Sequence, residues 1–208
     1  MKKFILLLSL LLIAGAGYWY YTRFAAGPEY SLVKAAAAVQ AHDVAAFEQY
    51  VDVSSVASKL VDQVTQQGSA LKLIAPGSMA FSGALRMLKP QLAQAARQEV
   101  QRYVKTGSAT AAAETAQSGR VMNVSLLGIA SKVVGPDSRF KDVQYVKQEN
   151  DQQALVGLEF TQPKYDTTLV VELKMLNRGD HWQVTEITNT GELIKHVARL
   201  EKQRLVGR

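Results

Sequence analysis

Thr167 to Ile187 reads TTLVVELKMLNRGDHWQVTEI, and it decides the fold. Leu169, Val171, Leu173 and Met175 alternate with Thr168, Val170, Glu172 and Lys174, the period-two pattern of a strand with one face buried. Asn177-Arg178-Gly179-Asp180 is a turn, and His181 to Ile187 then reads as a second strand, with Trp182 and Val184 on one face. Upstream, Phe140 to Lys147 and Gln153 to Phe160 carry the same character, joined by Glu149-Asn150-Asp151. A looser connection, Gln162 to Asp166 with Pro163, leads into the third strand. Successive short connections predict a four-stranded antiparallel meander.

On both sides of the meander the period changes to that of helices. Downstream, Asn189 is expected to cap a C-terminal helix, with Glu192 completing a capping box. Leu193, Ile194, Val197 and Leu200 oppose Lys195, Arg199, Lys202 and Arg204 on that helix. Upstream, Pro28 starts a helix over Glu29 to Ala41, with Leu32, Ala35, Ala36 and Val39 as its apolar stripe. Asp43 caps a helix over Val44 to Val51, and Asp52 or Ser54 caps a third that runs to about Gln67. Residues 68–83 form a Gly-punctuated apolar segment. A long helix from Ala84 to Lys105 with Pro90 inside it follows, and two shorter helices, Ala109 to Gln117 and Val121 to Val134, precede Gly135-Pro136. Helices, then a meander, then a helix define the α+β class.

The N-terminus, MKKFILLLSLLLIAGAGYWYY, has another role. The uncharged run Phe4 to Tyr21 would span roughly 27 Å as a helix, close to the hydrocarbon thickness of a bilayer. Ala14-Gly15-Ala16 fits a cleavage site, but the apolar run continues into Tyr18, Trp19, Tyr20 and Tyr21, an interfacial aromatic belt that favours an uncleaved signal-anchor. Lys2 and Lys3 favour a cytoplasmic N-terminus. The expected organisation is an anchor over 1–26 and one exported domain over 27–208. That domain is helical over 27–135, a sheet over 139–188 and a terminal helix over 190–206.

Composition sets further bounds. At 48% hydrophobic and 20% charged residues the chain is globular rather than disordered. With no Cys there is no disulfide, thiol nucleophile or acylated lipoprotein anchor. The net charge of +6 is uneven. Glu29 to Ala70 is acidic, Leu71 to Lys105 basic, and the last helix basic again, so the blocks either pair internally or present a basic face to lipid or a partner. No nucleic-acid recognition motif accompanies that charge.

No catalytic constellation emerges. His42, His181 and His196 are the only histidines, and none lies in a zinc-binding helix motif. Asp43 and Asp52 fall where helices begin, so capping explains them. Arg178-Gly179-Asp180 matches an adhesion tripeptide, but it is the turn before a strand. No residue is assigned to catalysis, a cofactor or a metal. The remaining candidates are an apolar pocket lined by Phe47, Tyr50, Leu173 and Trp182, and a lipid or partner surface on Lys195, Arg199, Lys202 and Arg204.

Gly27-Pro-Glu-Tyr-Ser-Leu-Val-Lys-Ala-Ala36 after an anchor, His42-Asp43, Phe47-Glu-Gln-Tyr50-Val51-Asp52 and Val56 together resemble the domain-of-unknown-function 2939 family. Arg178 to Ile187 is similar to that family's closing hairpin. The resemblance implies a bacterial envelope protein and assigns no activity; with the anchor, the expected placement is single-pass in the inner membrane, with the domain in the periplasm or outside the cytoplasmic membrane. Helices followed by a sheet ending in a Trp strand are also similar to NTF2-like cones, a likeness of fold alone. The expected role is a non-catalytic binding or assembly module working with another envelope protein. The alternatives are a carrier or sensor of an apolar ligand and, third, an envelope enzyme.

Overall fold

The computed structural model describes residues 27–66, 89–108, 111–112 and 137–206. The expected anchor, the segment 68–83, the first residues of the long helix (84–88), most of the helix over 109–117 and the helix over 121–134 lie outside them. Among the described residues no helix is long and apolar enough to cross a membrane.

The described chain is α+β. Four helices, α1 (Pro28–Gln40), α2 (Val44–Tyr50), α3 (Val53–Gln66) and α4 (Lys89–Thr106), precede the sheet. The strands are β1 (Phe140–Asn150), β2 (Gln153–Gln162), β3 (Thr167–Asn177) and β4 (Trp182–Ile187), and α5 (Thr190–Val206) ends the chain's described part. The sheet order is β1-β2-β3-β4, with every neighbouring pair antiparallel, as the short connections predict.

One face of the sheet is covered by helices. Leu169, Val171, Leu173 and Met175 of β3 are all buried, joined by Ala154 and Val156 of β2 and Trp182 and Val184 of β4. Against them lie Ala57, Leu60 and Val61 of α3, Ala96 of α4, and Leu193, Ile194 and Val197 of α5. Alternation along β3 thus meets the i, i+3, i+4 stripe of α3 and the apolar side of α5, a two-layer core.

Strand β4 departs from simple alternation. Met175 pairs with Val184 and Lys174 with Glu186, so Thr185 is the extra residue of a bulge. A bulge shifts the side-chain parity by one. It lets Ile187, three residues after Val184, return to the core beside Leu173. At the opposite edge β1 is largely exposed, and its pairing with β2 has three irregularities in register, which blunt it against further strand pairing.

The helices are pinned by polar contacts. Asp43 Oδ1 accepts from Ala46 N–H at 2.9 Å, and Asp52 accepts from Ser55 N–H at 3.0 Å and Ser55 Oγ at 2.6 Å, so both caps form. Between Asp52 and Ser54, the sequence alternatives, Asp52 is the cap. The buried face of α1 is Pro28, Ser31, Ala35 and Ala38, and Ala36 of the expected stripe is exposed. The reason is Ser31, whose Oγ accepts the Trp182 N–H at 2.9 Å and draws a polar position into the interface. Pro90 lies in the first described turn of α4. Glu48 receives a two-pronged bond from Arg97, both contacts at 2.7 Å, and a third from Gln101 at 2.8 Å. The acidic early helices thus neutralise part of the basic middle segment, and the Arg97 fork holds the Glu48 carboxyl below its ordinary range.

Candidate functional site: a basic groove beside an open strand edge

Strand β4 reaches only part of β3. Their pairing runs from Leu173 to Asn177 on β3, and among the described residues no strand pairs Thr167 to Glu172 on that side. The chain turns at Thr188, whose N–H still bonds Glu172 C=O at 2.9 Å. Asn189 then replaces the ladder with its side chain. Its Nδ2 donates to Val170 C=O at 2.7 Å, and its Oδ1 accepts from Glu172 N–H at 3.0 Å. This corrects the expected capping box. The Asn189 amide stands in for a peptide unit of β4, and the start of α5 is held instead by the Asn189 carbonyl, which accepts from Glu192 and Leu193 N–H.

Backbone groups point alternately to the two sides of a strand. Val170 C=O and Glu172 N–H face the β4 side, so Val170 N–H and both backbone groups of Thr168 face it as well. Beyond Asn189 these continue along an open edge. Helix α5 lies beside it. Thr168, Leu169 and Val170 of β3 and Asn189, Glu192, Lys195, His196 and Arg199 of the turn and helix border an open groove of about 430 Å³.

The charges of α5 divide in two. Arg204 lies 2.6 Å from Glu201, which also holds Lys164 at 2.9 Å and the Tyr165 hydroxyl at 2.6 Å. Arg204, Tyr165 and Lys164 together pull the Glu201 carboxyl down to about 2. Arg204 is therefore engaged within α5, while Glu201 ties the helix to the β2–β3 connection through Lys164 and Tyr165. Lys195, Arg199 and Lys202 are exposed and form no ion pair with a described acid. At i, i+4 and i+7 they share one helix face. Glu192 is the one acid among the described residues that border the groove.

The four residues expected to line an apolar pocket are divided. Leu173 and Trp182 are in the core with Met175, Val184 and Ile194. Phe47 and Tyr50 are half-buried on α2, and Tyr50 stands edge-on to His181, ring centroids 5.5 Å apart. The titratable candidates are each held in separate contacts. His42 has a left-handed backbone, and its Nδ1–H donates to Val104 C=O at 2.7 Å. It rests where a Cβ on Gly107 would press at 3.1 Å. His181 lies 2.7 Å from Asp180. Among the described residues no group of three or more His, Asp or Glu could hold a metal ion. Sequence reasoning missed the strand edge. Its only signal was the shortness of the run from Trp182 to Ile187 against the run from Thr167 to Asn177.

Fold and groove together define an α+β domain with helices on one face of a meander and a basic surface groove at a broken edge. The model of a family described as "Protein of unknown function (DUF2939)" matches residues 18–111. The resemblance carried by Gly27 to Val56 is thereby shown over a stretch that includes α1 to α4, while the meander and α5 lie beyond it. No curated protein and no solved structure matches the chain.

Proposed function

We propose that the chain is a membrane-tethered, non-catalytic module that docks another protein, and that the groove between α5 and β3 is its docking surface. The observation that carries the reading is Lys195 and Arg199 on the groove's border, with Lys202 further along the same helix face, three exposed cations without a described acid, beside a strand edge that no described strand pairs. Five other bases are held by acids: Arg97 by Glu48, Lys59 by Glu186, Lys141 by Glu159, Lys164 and Arg204 by Glu201. Arg102, Lys105, Arg139 and Lys147 are also exposed and form no ion pair with a described acid, but none of them borders the groove. The tether is the apolar run Phe4 to Tyr21 with its aromatic belt, and Lys2 and Lys3 orient the domain away from the cytoplasm. Helices laid on a meander also agree with the NTF2-like likeness, which adds no function. The carrier reading has less support, because Leu173 and Trp182 fill core rather than line a space.

The test is site-specific photo-crosslinking in cells. A photoreactive side chain at His196 is compared with one at Gln49, exposed on α2. Discrete protein adducts at position 196 that are absent at position 49 support the docking surface. No protein adduct at 196, or the same adducts at both positions, overturns it.

A further inference from the structure

We infer that the occupant of this groove is an acidic segment in extended conformation, added as a strand to the open edge of β3. The inference rests on the docking reading above and names the chemistry of the partner. Three observations converge. The first is the edge itself: beyond Asn189 the Val170 N–H and the Thr168 N–H and C=O continue the line of Val170 C=O and Glu172 N–H. A strand edge is completed by backbone groups of another strand, and an incoming extended chain supplies them without regard to sequence.

The second is Asn189. Its amide already occupies one ladder position, donating to Val170 and accepting from Glu172. The edge is therefore engaged by a peptide-like group where the protein supplies one, and ends where it does not.

The third is charge. Lys195 and Arg199 are one helical turn apart, about 6 Å along α5. Same-face residues of an extended chain are about 6.7 Å apart. Acidic side chains at alternate positions of an added strand would match that spacing, and Lys202 extends the row. Glu192, at the start of the helix, repels an acid there and sets the acidic end of the segment toward Arg199. A lipid headgroup would use the cations and leave the edge unpaired, so the strand accounts for more of the site.

The experiment uses the full chain in zwitterionic nanodiscs and selection from a library of random ten-residue peptides. Selected peptides are expected to carry Asp or Glu at alternate positions. They should bind at least tenfold more weakly to Lys195→Gln/Arg199→Gln, and at least tenfold more weakly when every second backbone amide is N-methylated. Hydrogen exchange of the Thr168 and Val170 amides should slow at least tenfold when the peptide binds. Selection of peptides without acidic residues, or indifference to N-methylation, overturns the acidic strand. Salt-sensitive binding of phosphatidylglycerol vesicles through Lys195 and Arg199, with no peptide selected, also overturns it and makes lipid the occupant. In either case protein adducts at position 196 would leave the docking reading standing, whereas their absence removes that reading too.

Discussion

At the scale of single residues, contacts fix roles that identity alone left open. Trp182 is 4% exposed, donates its backbone N–H to Ser31 and packs in the central cluster. Trp182→Ala is expected to cost about 3–5 kcal/mol through the cavity it leaves, read as a drop in the urea midpoint. Tyr145 lies across from Gly157, where a Cβ would overlap the tyrosine ring. The ring covers the glycine, and its hydroxyl donates to Glu172 at 2.6 Å. Bonding to that carboxylate, with partial burial, pushes the phenol up to about 12. Glu172 also bonds Thr188, so one carboxylate links β1, β3 and the turn before α5. Gly157→Ala should displace the ring, and phenolate absorbance should then appear near pH 10 instead of near 12. Unchanged titration would mean that the ring tolerates the methyl group.

At the scale of elements, acid sensitivity is expected where α5 is tied to the β2–β3 connection. Glu201 titrates near 2 in the folded chain and near 4.3 unfolded, so its contribution is complete above about 4.3 and disappears as pH falls through 2. Glu201→Gln should flatten part of the fall in stability between pH 5 and pH 2, measured by urea unfolding at each pH. The elements themselves were legible in the sequence. Strand β3 and α5 follow from period two giving way to period 3.6, because each buries one face, while the other strands are marked by their composition and the turns between them. What was not legible has physical causes. Trp182, Val184 and Ile187 cannot share one face of a regular strand, so the bulge at Thr185 lies beyond a period-two reading. Ser31 is buried for its bond to Trp182, which no hydrophobic pattern reports. The cations of the site, Lys195, Arg199 and Lys202, could be read from helical spacing. The groove could not, since it depends on where β4 stops beside β3 and on an Asn side chain facing the sheet rather than the helix.

At the scale of the whole molecule, the proposed function pairs an expected N-terminal tether with a docking face. Such a tether would keep the groove near partners in the same membrane and raise their effective concentration without new contacts. The first 26 residues are expected to stay attached. N-terminal sequencing of the mature protein should begin at Met1 or Lys2, and a start at Gly17 would show cleavage after Ala16. The central claim is that the unpaired cations of α5 hold another protein in the groove. The most direct measurement is the yield of protein adducts from a photoprobe at position 196, compared between the otherwise unchanged chain and Lys195→Glu/Arg199→Glu/Lys202→Glu. All three side chains are exposed, so the variant should melt within a degree or two of its parent, and the account predicts a loss of at least tenfold in adduct yield. A variant that melts normally and keeps its adducts would contradict the claim.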